Sequence, residues 1–201
     1  MITIDEIKDT LRKKFINNYQ SITIVSKRTD NKSKISMLES DFKVFNYDDG
    51  ILKITNNSKN QEPMCAVDAI DIQKDTIYFI EFKDGTVFNA KPKDKYQLRL
   101  KMIESIFQLL DVLDIPLAQF KNFLDLKKVF ILVYNANKNP ITEQQITQEN
   151  IKKSSSSQYI KQYIFEKSGK EFIRYGLEEF TKYFNEVHTY CQQDFEEYIK
   201  F

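Results

Sequence analysis

Three ionisable residues stand inside otherwise apolar stretches of this chain: Asp68 in PMCAVDAIDIQ, and Glu81 and Lys83 in TIYFIEFKDG. Two carboxylates and an amine on one surface can do a specific kind of chemistry. The carboxylates repel unless a positive charge lies between them. A divalent cation meets that need, because Mg²⁺ favours one or two carboxylates together with water and phosphate oxygens. The amine can then orient or deprotonate a water, or neutralise charge developing on a phosphate.

The element that must bring these residues together is a hairpin over Pro63–Gly85. With Lys74-Asp75 as a two-residue turn, antiparallel pairing sets Gln73 against Thr76, Ile72 against Ile77 and Asp71 against Tyr78. Continued, it places Asp68 directly opposite Glu81, with Cβ atoms about 5 Å apart. Lys83 lies two residues further on and shares the face. A one-residue slip would turn Asp68 to the other face and bring in Asp71 as the reserve ligand. The same charges can also be read as solvated strand ends, with Lys83-Asp84-Gly85 an ordinary turn. The apolar company of Ile77, Phe79, Ile80 and Phe82 argues for burial, where an unpaired carboxylate is costly.

The flanking sequence supplies a frame. Thr3 and Glu6 form a capping box before Ile4, Ile7, Leu11 and Phe15 at helical spacing, predicting a helix over Ile4–Asn18. A β-branched strand is expected at Ser21–Ser26. Asp41–Tyr47 and Ile51–Thr55 read as a hairpin around Asp48-Asp49-Gly50. After the central hairpin, TVFNA reads as an extension of the strand or the start of another. A long helix follows at about Lys95–Asp114, then a short helical piece at Leu117–Leu124. Lys127–Tyr134, KKVFILVY, reads as a central strand buried on both faces, joined by a crossover and parallel to a neighbour. Ser154–Ser157 is the expected joint of a C-terminal region. Its helices are predicted over Gln158–Glu166 and Glu171–Tyr183, with an edge strand at Glu186–Tyr190 and a short helix at Gln192–Ile199. The fold class expected is α/β, with a core over 1–141 and a mostly helical extension packed on it over 142–201.

Asp68 followed thirteen residues later by Glu81-Phe82-Lys83, within the order helix, strands, Glu-x-Lys strand, long helix, buried strand, resembles the PD-(D/E)xK nuclease superfamily over roughly residues 1–136. The resemblance implies a restriction-endonuclease-like core with a mixed central sheet. It makes Asp68 and Glu81 ligands of Mg²⁺ or Mn²⁺, and Lys83 the catalytic lysine of phosphodiester hydrolysis in DNA or RNA. Val67 stands where the family pattern has proline. A further acid on the first helix is common in the family; Glu6 and Glu39 are the candidates.

Four residues near the start of the long helix, Lys93, Gln97, Arg99 and Lys101, are candidate contacts to nucleic-acid phosphates. For the lysines the competing reading is a solvated face; for Arg99 it is a side chain snorkelling from the apolar side. His188 is read as structural. With four glycines in the chain, no glycine-rich phosphate loop is present. The net charge of +1 excludes a global field that draws in nucleic acid, so binding must use a local patch. The C-terminal aromatics, Tyr159 to Phe184, recur at helical spacing and read as packing surface.

Cys65 and Cys191 are far apart and in no metal-type spacing, consistent with free thiols in a cytoplasmic protein. The N-terminus lacks a signal-peptide layout, and no apolar run is long enough to span a membrane. A second function class fits the near-neutral charge and the aromatic C-terminal extension: a non-catalytic immunity or antitoxin-type protein on the same fold, binding a protein partner through 142–201.

Overall fold

The computed structural model describes residues 2–27, 35–55, 64–85, 87, 91–139 and 177–199. A six-stranded sheet organises them: β1 (Tyr19–Ser21), β2 (Lys43–Asn46), β3 (Ala69–Gln73), β4 (Thr76–Lys83), β5 (Lys127–Tyr134) and β6 (Glu186–Cys191), side by side in chain order. β1 through β4 pair antiparallel; β4, β5 and β6 run parallel. The molecule is therefore α/β with a mixed sheet, flanked by helices.

The central hairpin has the register that its turn and alternation dictate. Gln73 pairs with Thr76, Ile72 with Ile77 and Asp71 with Tyr78, and the ladder continues to Ala69 opposite Ile80. Lys74 takes φ 51°, the left-handed conformation that two-residue hairpin turns favour.

Alternation then sorts the strand residues between two faces. Ile70, Ile72, Ile77, Phe79, Phe130 and Leu132 meet Ile7 and Leu11 of α1 (Ile4–Lys14) and Met102 and Leu109 of α4 (Pro92–Val112). Ala69, Ile80, Val129, Ile131 and Val133 meet Ile22 of α2 (Ile22–Val25) and Phe195 and Ile199 of the last described helix, here α6 (Gln192–Ile199). β5 feeds both cores, which is why its sequence shows no polar alternation. Its one buried charge, Lys128, donates to the carbonyls of Phe123, Leu124 and Leu126 at the end of α5 (Phe120–Leu124). There it caps the helix C-terminus, and burial lowers its pKa to about 8.

Three sequence expectations need correction. The predicted strand Ser21–Ser26 is strand only to Ser21; Ile22–Val25 turns into one helical turn, which carries Ile22 into the second core. Ile51–Thr55 is not a strand, because α3 runs Tyr47–Thr55 through Asp48-Asp49-Gly50. Gly50 serves a close approach rather than a turn: a Cβ there would lie 2.0 Å from Cε1 of Phe15. Gly50→Ala is therefore expected to destabilise the fold by about 1–3 kcal/mol through overpacking, read as a lowered urea midpoint. The first helix ends at Lys14, followed by a 3₁₀ turn at Ile16–Asn18.

The C-terminal region contributes more than a helical covering: β6 is the sixth strand of the sheet itself, and Leu177–Lys182 is a 3₁₀ helix. The serine run, the predicted helix over Gln158–Glu166 and most of TVFNA lie outside the described residues. Among the described residues, no helix is long and apolar enough to cross a membrane.

Candidate functional site

The site grows out of α4. Gln97, Lys101, Glu104 and Gln108 recur at intervals of four and three, so they share one face of the helix. That face does not simply look into water. Glu104 accepts a hydrogen bond from the Cys65 amide, and Ser105 Oγ accepts one from the Val67 amide at 2.9 Å. Gln108 donates to the Met64 carbonyl at 3.0 Å. These three contacts fix the backbone of 64–67 along the helix, and so fix the entry into β3 where Asp68 stands.

Asp68 is held on several sides. Its carbonyl accepts from the Tyr47 amide at 3.0 Å, and its Oδ2 accepts from the Phe82 amide at 2.6 Å. Its Oδ1 accepts from Lys101 Nζ at 3.3 Å. The same ammonium donates to both oxygens of Glu81, at 2.8 and 2.9 Å. Asp68 and Glu81 therefore converge, as the hairpin register requires, and Lys101 bridges them.

Burial and charge set the electrostatics. Glu81 is 5 % exposed. Its pKa is pushed up to about 8, first by burial and then by Asp68, with Lys101 and Lys83 pulling the other way. Burial disfavours the charged form of Lys101, but the attraction of Glu81 and Asp68 outweighs this and raises its pKa, so it stays an ammonium. Asp48, half-buried in the first turn of α3, belongs to the same field. Burial raises its pKa, Lys101 opposes that rise and Asp68 adds to it.

The remaining predicted residues fall as follows. Lys83 is the last residue of β4 and half-buried, near enough to Glu81 to stabilise its anion. Lys93 and Gln97 are exposed on the first turns of α4, and Arg99 is half-buried there. Helical spacing puts Lys93, Gln97 and Lys101 on one stripe, about 12 Å from end to end. Lys101, expected on phosphates, has its ammonium on the two carboxylates. Glu6 closes the capping box with Thr3, and Glu39 is exposed. Asp71 lies on the opposite face of the hairpin. His188 is engaged by Glu186 at 3.0 Å and stacked on Tyr190.

Two participants have roles in the structure that differ from those their sequence pattern suggests. The sequence offers Lys101 as a phosphate contact, though its place four residues after Gln97 and three before Glu104 marks a mixed-charge stripe beside an apolar face. Asp48-Asp49-Gly50 has the composition of a turn; acidic residues in a first helical turn are the signal that finds Asp48.

The donor chemistry suits a hard divalent cation: carboxylate oxygens of Asp68 and Glu81, with Asp48 adding negative potential. Lys101 Nζ already stands within 3.3 Å of three of those oxygens. A metal at its usual 2.0–2.1 Å from oxygen fits only if that ammonium withdraws. The Lys101 side chain is 25 % exposed, which leaves it a path toward solvent. Among the described residues, no group of three or more His, Cys, Asp or Glu is arranged to hold a metal ion.

Comparison with protein-family models, with curated proteins and with solved structures finds no match to this chain.

Proposed function

We propose that the chain is a metal-dependent nuclease-like protein of the PD-(D/E)xK type, acting on phosphodiesters of DNA or RNA. The observation that carries this reading is the convergence of Asp68 and Glu81 on a single cation position beside Lys83. The order of elements supports it: α1, the antiparallel strands β2, β3 and β4 with α3 between the first two, α4 and α5 in the crossover, and β5 parallel to β4. A restriction-endonuclease-like core has this sequence of elements.

In this reading Asp68 and Glu81 hold Mg²⁺ or Mn²⁺, which when bound supplies Lewis-acid stabilisation of the phosphate and a more acidic water. Asp68 is pre-set by the Phe82 amide and the 64–67 backbone is fixed by α4, so the rearrangement that binding requires is the withdrawal of Lys101. Lys83, half-buried at the strand end, orients the attacking water and sets a positive charge beside the phosphate. Lys101, released from the carboxylates, donates to a phosphate oxygen. Lys93, Gln97 and Arg99 bind the nucleic-acid backbone by charge and hydrogen bonding.

One observation favours a second reading. Because the Lys101 ammonium donates to both carboxyl groups from within, the cation position between them is filled without metal. That suits a non-catalytic immunity or antitoxin-type protein on the same scaffold.

Mn²⁺ titration followed by calorimetry, with cleavage assays on plasmid DNA and on structured RNA, separates the two. The nuclease reading expects saturable Mn²⁺ binding and cleavage of one substrate. Lys83→Ala should lower cleavage by at least a hundredfold while metal binding persists. No Mn²⁺ binding and no cleavage by the folded protein would leave the non-catalytic reading in its place.

A further inference from the structure

A cavity of about 440 Å³ opens on the other face of the sheet, at the turn end of the hairpin and away from Glu81. Its volume is in the range of small-molecule sites. It is independent of the carboxylate pair described above, which faces α4.

The buried charge in its wall is Asp71, 6 % exposed, whose one side-chain hydrogen bond among the described residues comes from Gln73 Nε2 at 2.9 Å. Burial raises the pKa of Asp71; Gln73, the Ile72 amide and the more distant Lys8 oppose the rise. A buried carboxylate whose donors among the described residues are one side-chain amide and one backbone amide has lone pairs left to give.

Aromatic rings face the same space. Tyr78 and Tyr198 meet edge to face, with centroids 6.2 Å apart and planes at 75°, and Phe42 adds a third ring to the lining. Rings set at an angle offer their negative faces to a cation from two directions. The cations at the rim do not reverse this preference. Lys127 is exposed and tied to Glu186 at 3.1 Å, and the exposed Lys74 is adjacent to Asp75 in the turn. Inside the rim, the charge is negative.

We propose that this cavity binds a small organic ammonium ion, with Asp71 as its counter-ion and Tyr78, Tyr198 and Phe42 as its aromatic wall. The carboxylate selects charge, and the rings and Ile80 select an apolar body attached to the amine.

The test is calorimetric titration of the full chain, in EDTA, with three probes of similar size: 2-phenylethylammonium, 2-phenylethanol and 3-phenylpropanoate. Saturable binding of the ammonium, at least tenfold tighter than either other probe, is expected. Asp71→Asn should abolish that preference while leaving the urea midpoint as high as the parent's or higher, since a buried carboxylate is removed. Tyr198→Leu should weaken ammonium binding at least fivefold, and it decides the matter if Asp71→Asn does not fold. Tighter binding of 3-phenylpropanoate, no ammonium binding by the full chain, or ammonium binding indifferent to both substitutions overturns the proposal. EDTA keeps the outcome separate from any metal at Asp68 and Glu81.

Discussion

Replacing Lys101 with methionine is expected to destabilise the protein by about 3–5 kcal/mol at pH 9, the usual cost of removing one partner from a buried ion pair. Methionine keeps the apolar stem and removes the charge. What remains is Glu81, 5 % exposed, facing Asp68 with its principal counter-charge gone. The size of the loss should depend on pH. Glu81 in the parent already titrates at about 8, and without Lys101 its pKa must rise further. At pH 6 the folded variant can hold a proton on Glu81 and escape most of the repulsion, so the loss shrinks.

Divalent metal should act on the same variant in the opposite sense to alkaline pH. With the ammonium gone, Mn²⁺ no longer competes for the position between the carboxylates. A ligand that binds only the folded state, present at a hundred times its Kd, restores about 2.7 kcal/mol. Urea titrations of parent and Lys101→Met at pH 6 and 9, with and without Mn²⁺, read both effects. A loss equal at the two pH values and unmoved by Mn²⁺ would mean that Lys101 serves packing and does not hold a cation position.

How much of this was visible in the sequence follows the range of the interactions. The hairpin register was legible because a two-residue turn and strict alternation determine it locally; Asp68 and Glu81 come together on that basis alone. β5 and α6 were legible from an apolar run and a short amphipathic stretch, with the expected bounds at Lys127–Tyr134 and Gln192–Ile199. Lys101 was not, because periodicity says which residues share a helix face but not what that face meets. Whether Gln97, Lys101 and Glu104 look at water or at strand ends depends on how the crossover seats α4. Asp48 was hidden for a related reason: Asp48-Asp49-Gly50 has turn composition, and only the Phe15 ring packed against Gly50 reveals why glycine stands inside a helix. Ile22–Val25 shows tertiary context overriding β propensity in the same way. The long-range partner decides these cases, and one-dimensional patterns do not contain it.

Glu81→Gln carries the opposite expectation: a more stable protein with its proposed metal site disabled. An acid whose folded pKa is raised from 4.5 to about 8 holds a proton when folded that it has lost when unfolded, across that window. Stability therefore falls as pH climbs from about 4.5 to about 8, and is level beyond it. The shift corresponds to roughly 5 kcal/mol as an upper bound. Glutamine removes this penalty but also gives up charge-assisted hydrogen bonds from Lys101. A net gain of about 2 kcal/mol at pH 9 is expected, vanishing near pH 5, where Glu81 of the folded parent is already protonated. Lys101 keeps Asp68 as a partner, so the variant has no orphaned ammonium. Mn²⁺ binding should be lost in the same protein, since a neutral amide replaces one of two carboxylates. A variant both more stable at alkaline pH and unable to bind metal is the pattern expected when buried charge is retained for function at a cost in stability. If Glu81→Gln is instead destabilising at pH 9, the Glu81–Lys101 pair is a structural ion pair, and the proposed metal role loses its energetic support.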